Sequence, residues 1–158
     1  MEAFLIRLEA LPLADRIRME VWAFPIINTI HVIGIALLFG GIVVLDSRLL
    51  GYRGRMLEIS SLARLVLPLA AVGFALAVVT GGLMFLANPR EYWANPYFPW
   101  KLGLMAAAGV NALILHATVW RGRNGWGSRA PFSARMAGVA SLGLWAGVIT
   151  CGRFMAYF

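Results

Sequence analysis

Apolar and polar positions fall along this chain in blocks. Four long apolar blocks, roughly 24–45, 65–87, 100–120 and 136–153, are separated by short segments that hold most of the charges. Each is close to the roughly 20 residues that a helix needs to cross the hydrocarbon core of a bilayer. The pattern predicts an all-α integral membrane protein with four transmembrane helices. Short connections place consecutive helices antiparallel, which predicts an up-down-up-down bundle over 24–158. Residues 1–23 differ. Phe4, Leu5, Leu8, Leu11, Leu13, Ile17, Val21 and Trp22 are interleaved with Glu2, Arg7, Glu9, Asp15, Arg16, Arg18 and Glu20. That mixture predicts an amphipathic segment, broken near Pro12, at the membrane interface. It leaves no unbroken apolar stretch of the kind a cleaved signal peptide carries.

Prolines and aromatics mark the ends. Pro25 and Pro68 suit first helical turns, where a missing N–H costs nothing. Segment 88–99 reads as a loop, because Pro89, Pro96 and Pro99 resist helix. Its Tyr92, Trp93, Tyr97 and Phe98, with Trp100, form an aromatic belt of the interfacial type.

Charge then sets the orientation. Lys and Arg exceed Asp and Glu by seven, and all but one of the cations are Arg. Arg48, Arg53, Arg55 and Arg64 flank the first connection, and Arg121, Arg123, Arg129 and Arg135 the third; the second has only Arg90 and Lys101. The positive-inside rule puts the first and third connections in the cytoplasm and both termini outside, in a bacterial inner membrane. Clustered beside apolar blocks, these arginines suit lipid headgroups and leave no free basic face for nucleic acid. The single cysteine, Cys151, excludes an intramolecular disulfide and reads as a small buried hydrophobe.

Ionisable side chains inside a bilayer are costly, so each is a candidate for function. Both histidines of the chain, His31 and His116, fall inside apolar blocks, with Lys101 and Arg153 near block ends and Asp46 and Arg48 at an edge. On the first block Asn28, His31, Gly34, Leu38, Gly41, Leu45 and Arg48 recur at spacings of three and four and share one helix face. This stripe reads either as a tight helix–helix seam or as a seat for a flat ligand. Glycine beside histidine leaves room for a macrocycle, and imidazole is a common axial ligand of haem iron.

His31 lies about seven residues from the outer end of its helix and His116 about sixteen. At 1.5 Å per residue they are roughly 14 Å apart in depth, too far to clamp one haem. The candidates therefore divide by leaflet. His31, Asn28, Gly34, Met84, Lys101 and Arg153 form an outer set, with His31 as axial ligand, Met84 as a second ligand, and Lys101 and Arg153 for propionates. His116, Asp46 and Arg48 form an inner set, either a second metal or cofactor site or a hydrogen-bonded anchor.

The segments NTIHVIGIALLFGGIVVLDSRLLG, PLAAVGFALAVVTGGLMF, FPWKLGLM and WAGVITCGRFMAYF resemble an uncharacterised group of bacterial four-helix membrane proteins, over nearly the whole chain. That group is itself similar to the CopD-like and HemJ-like membrane proteins. The HemJ-like resemblance implies haem b, an important His in an early helix, a Lys opening a later one, and a link to porphyrinogen oxidation. His31 and Lys101 stand at those positions, and Arg48–Leu49 resembles an RL that follows the first helix. The chain lacks the HemJ-type C-terminal NEVP-like motif. The CopD-like resemblance implies copper passage, for which this chain lacks Met- or His-rich clusters. The expectation is a haem-b-binding, cytochrome-like protein for electron transfer or redox sensing, with a second copy or a redox protein as partner. A structural or partner-binding membrane subunit and a metal or small-molecule permease are the alternatives.

Overall fold

A computed structural model describes residues 1–52, 58–126 and 129–157. Arg53 and Arg55 of the first connection lie outside the described residues. Among these residues seven α-helices follow in order: α1 (Glu2–Glu9), α2 (Pro12–Met19), α3 (Ala23–Leu49), α4 (Ile59–Ala87), α5 (Pro89–Ala94), α6 (Tyr97–Thr118) and α7 (Phe132–Phe154), with a 3-10 turn at Trp120–Gly125. Among the described residues there is no strand. α3, α4, α6 and α7 are long and apolar enough to cross a membrane, and the chain is a multi-pass membrane protein. Their outward faces carry Ile26, Val32, Leu65, Val79, Leu113 and Ile114, all exposed, a surface that water would not tolerate at this extent.

The four spans run alternately. Phe98 at the start of α6 stacks on Phe85 near the end of α4, and Tyr97 packs on Phe154 at the end of α7. The chain termini and α5 thus share one end, the terminal end, with the two basic connections at the other, the linker end. α3 packs most extensively on α4, α6 on α7, and α3 more lightly on α7, while α4 and α6 are not packed along their lengths. The bundle is two helical hairpins, α3–α4 and α6–α7, joined by the α3–α7 seam and open on the α4–α6 flank.

Glycine explains the tightest seam. A Cβ on Gly34 would lie 2.9 Å from the Ala77 nitrogen and the Gly73 oxygen, and one on Gly73 would lie 2.6 Å from the Leu38 nitrogen. The backbones of α3 and α4 touch there, and dispersion between closely packed surfaces holds helices together where no water drives them. At the linker end Leu45, Leu49, Ile59, Val66, Leu115 and Trp120 close an apolar cluster. Trp120 is seated edge-on against Trp126.

Three proline expectations meet different outcomes. Segment 88–99 is not one loop. Pro89 opens α5, and Pro99 sits in the first turn of α6, where the N–H groups have no intrahelical acceptor in any case. Asn95 takes over part of that role: its Oδ1 accepts the Tyr97 N–H at 3.0 Å, while its Nδ2 donates to the Met155 carbonyl. Pro25 lies in the first turn of α3. Pro68 is interior, because α4 begins at Ile59 and already contains Arg64, so the Arg64 carbonyl loses its usual donor.

The N-terminal segment is a pair of short helices folded over the terminal end. Leu5, Ala14 and Ile17 are buried. Arg18 donates to the Ala87 carbonyl and to the Glu9 carbonyl, both at 2.7 Å, and pairs with Asp15. Ala87 is the last residue of α4, so Arg18 satisfies a carbonyl that the helix leaves open and opposes the negative end of its dipole. Arg90 of α5 reaches back to Glu9 at 2.6 Å. Arg18→Gln is expected to raise amide exchange across residues 2–19 by roughly tenfold, the equivalent of about 1.4 kcal/mol, and to leave α3 protection unchanged. Equal exchange in the two proteins would refute this capping role.

Candidate functional site

The polar content of the interior is small: Asp46 and Arg48 are buried toward the linker end, and Thr80 in the terminal half. His31 is half-buried on α3 and faces α4, where its Nδ1 lies 2.9 Å from Thr80 Oγ1. Thr80 is buried, and its hydroxyl donates to the Leu76 carbonyl at 2.6 Å. A hydroxyl has one proton, so Thr80 Oγ1 accepts from His31, and Nδ1 carries a hydrogen. The Ala77 carbonyl, 3.5 Å from the same hydroxyl, is a further acceptor beside the ring. A carbonyl, too, receives protons only. In the neutral ring this leaves the lone pair on Nε2. Gly81 completes the seat, since a Cβ there would press to 3.1 Å from His31 Cε1.

Lys101 approaches from the other hairpin. It opens the second turn of α6, with Nζ beside Gly152 of α7, where an added Cβ would meet it at 3.4 Å. It lies within electrostatic reach of both His31 and Cys151. The ion pairs among the described residues join Arg18 to Asp15 and Arg90 to Glu9, so no described acid neutralises Lys101. An imidazole with a free Nε2 therefore lies within electrostatic reach of an ammonium that no described acid neutralises, in a bundle whose α4 and α6 meet only near their ends. This arrangement suits a ligand that offers both a Lewis-acidic centre and an anionic group.

The other candidates scatter. Gly34 belongs to the helix seam, since the Gly73 and Ala77 backbones fill the space that a macrocycle would need. Asn28 is exposed one turn before His31, and Met84 is half-buried one turn beyond Thr80. Arg153 is exposed, donates to the Tyr157 hydroxyl at 2.7 Å and covers its ring; it is turned to the chain end, not to His31. Cys151 is half-buried near Lys101.

His116 is exposed on α6. Its Nδ1 donates to the Ala112 carbonyl at 2.8 Å and its ring packs on Trp120. Thr80 is five residues before Phe85, whose partner Phe98 sets the level on α6. His116 therefore lies about thirteen residues, or roughly 20 Å, deeper than the His31 seat. The two histidines do not meet. Nor is the inner set one cluster. Asp46 faces Gly138 and Ser141 of α7, His116 faces Trp120, and Arg48 is buried near the end of α3. Among the described residues no three of His, Cys, Asp and Glu gather in a metal-binding group.

Thr80 and Ser141 carry weight that sequence reasoning did not assign. The signal for Thr80 was a lone hydroxyl beside two glycines on an otherwise apolar helix, but a threonine can satisfy its hydroxyl on its own helix, so only the fold reveals the partner. Around α5, Phe85, Tyr92, Trp93 and Phe98 form an aromatic cap over the terminal end. Burial, and then the Glu91 charge, push the Tyr92 phenol above its ordinary value, so it stays a neutral side chain at any physiological pH. No protein-family model, curated protein or solved structure matches this chain.

Proposed function

We propose that this protein is a haem-b-binding, cytochrome-like membrane protein, used for electron transfer or redox sensing, with His31 as axial ligand. The observation that carries this reading is the Thr80–His31 hydrogen bond. A ligand histidine commonly donates its second ring N–H to a fixed acceptor, which sets its tautomer and orientation. Here Thr80 and the Ala77 carbonyl supply the acceptors, and Nε2 is left to bind iron. Lys101 supplies the charge for a propionate. Bound haem would contribute one-electron chemistry, while the chain would contribute the ligand, the cation and a largely water-free surround. His31 would supply the iron with one strong nitrogen ligand. The tight Gly34–Gly73 contact leaves no room for a macrocycle between α3 and α4, so we take the α6-facing side of the bundle for it.

The proposed orientation follows the charges. Arg64, Arg121, Arg129 and Arg135 are exposed at the linker end, which we assign to the cytoplasmic face of a bacterial inner membrane. The His31 site then lies in the outer half.

The test is spectroscopic. Protein purified in detergent from haem-replete cells is expected to show a Soret band that His31→Ala abolishes, that His116→Ala leaves unchanged, and that Lys101→Met weakens. A colourless wild-type preparation would sink the proposal. One observation favours a second reading. The same hydrogen bond that orients His31 also ties α3 to α4 beside the glycine seam, as a non-redox subunit would need. That reading predicts a colourless protein in which His31→Ala lowers only stability.

A further inference from the structure

Asp46 lies near the linker end of α3 and is only 6% exposed. Its Oδ2 is fully covered and has no hydrogen-bond partner. α7 crosses at this point. A Cβ on Gly138 would stand 3.6 Å from the Asp46 Cβ and main-chain oxygen, and Ser141 hydrogen-bonds the carboxyl. Every other acid of the chain is different: Glu2, Asp15, Glu20, Glu58 and Glu91 are exposed, and Glu9 is paired with Arg90.

The groups around Asp46 offer it no counter-ion. From α7 it meets a glycine and a serine. Arg135, one helical turn before Gly138, is exposed. From α6 the neighbouring polar groups are Asn111, which donates to the Ala137 carbonyl, and the exposed His116. On α4 the charges are Glu58 at the helix start and Arg64, both exposed. Arg48, two residues on, is turned about 200° around α3. A carboxylate with an oxygen left without a hydrogen-bond donor is far costlier to bury than the neutral acid. A bound metal cation would need about six oxygens, where this seam offers one carboxyl and one hydroxyl.

We infer that Asp46 is a proton-binding site that latches the two hairpins together. The α3–α7 seam is the lighter of the interhelical seams and the one that joins α3–α4 to α6–α7. With the proton on the carboxyl, Asp46 packs against Gly138 and Ser141. When the O–H bond breaks and the proton passes to water at the linker end, the carboxylate left behind must be hydrated. It can be hydrated only if α7 lifts away from α3. Proton uptake thus closes the seam and proton release opens it. Neither step involves His31 or a cofactor.

Infrared spectroscopy of the full-length protein in lipid nanodiscs tests the site directly, because the six other acids are at the surface. A protonated carboxyl absorption at neutral pH, shifted in D2O, is expected in the wild type, displaced in Ser141→Ala and absent in Asp46→Asn. Spin labels on Val72→Cys of α4 and Val110→Cys of α6, in a Cys151→Ser background, read the latch. The label distance is expected to change as that absorption bleaches with rising pH, and to stay at its low-pH value in Asp46→Asn. No such absorption in wild type between pH 5 and 8 would overturn the site. Loss of the absorption only on adding sodium would show a metal-cation site in its place. Bleaching at constant label distance would overturn the latch. The wild-type and Ser141→Ala spectra decide the proton site even if Asp46→Asn does not fold.

Discussion

Gly73→Ala is expected to destabilise the protein by about 1–3 kcal/mol, although it adds only one methyl group. The new Cβ would lie 2.6 Å from the Leu38 nitrogen, 2.7 Å from the Gly34 oxygen and 2.8 Å from the Leu37 Cβ. Two of these are backbone atoms of a continuous helix, so no side-chain rotation relieves the overlap. α3 must move away from α4, and contacts along the whole seam weaken together. Gly82→Ala is the matched control. It stands on the same helix with nothing within 4 Å of its added Cβ, and alanine is the better helix former by about 0.8–1.0 kcal/mol. Unfolding by SDS titration in mixed micelles is expected to move to lower SDS for Gly73→Ala and to the same or higher SDS for Gly82→Ala. Equal stability of the two variants would mean that α3 and α4 do not touch backbone to backbone.

On the proposed ligation by His31, Thr80→Val is expected to weaken haem binding by about 10–100-fold while keeping the shape of the side chain. The change removes the hydroxyl that accepts the His31 Nδ1–H at 2.9 Å. The Ala77 carbonyl remains, so the ring keeps one acceptor but loses the one that fixes its direction. Thr80→Ser keeps the hydroxyl and is expected to bind haem within a few-fold of wild type. Haemin titration followed at the Soret band measures all three proteins. Affinity unchanged in Thr80→Val would show that the Thr80 hydrogen bond packs α3 on α4 and has no part in ligation.

The two predictions bear on different halves of the His–Gly stripe. His31, Gly34, Leu38 and Gly41 share a face, which left open whether the stripe binds a helix or a ligand. The structure packs both parts of it on α4. Gly34 and Gly41 press on Gly73, Ala77, Ala70 and Val66 of α4, whereas His31, further around the helix, meets Thr80 and Gly81 and feels the charge of Lys101. A face defined by spacing is nearly half a helix wide, so one part of it can pack backbone to backbone while another carries a hydrogen bond to the same neighbour.

Much of the fold was legible in the chain. Four apolar blocks of membrane-spanning length, charges confined to the connections and a proline break at Pro12 dictate four spans and a folded N-terminal segment. Burial of backbone polar groups in lipid leaves helix as the only open-ended solution. The depth offset between His31 and His116 was also legible, because rise per residue is fixed. Helix ends were less so: α4 begins at Ile59 and not near 65, since amphipathic turns at the linker end pack on Trp120 and Leu115 without being apolar throughout.

What the chain could not specify is which helices touch. Connection lengths make neighbours antiparallel but allow a closed square as readily as the observed open order, α4–α3–α7–α6. That choice rests on backbone contact at Gly34 and Gly73, on Gly138 against Asp46 and on Leu104 against Gly147, which are pairings between residues far apart in sequence. The same choice decides the site. Hydropathy and spacing determined that His31 and Lys101 lie toward the same side of the membrane. Only tertiary packing gave His31 the Thr80 acceptor and kept Lys101 from any described acid, because hydrogen bonds and ion pairs between distant segments depend on which side chains converge in space.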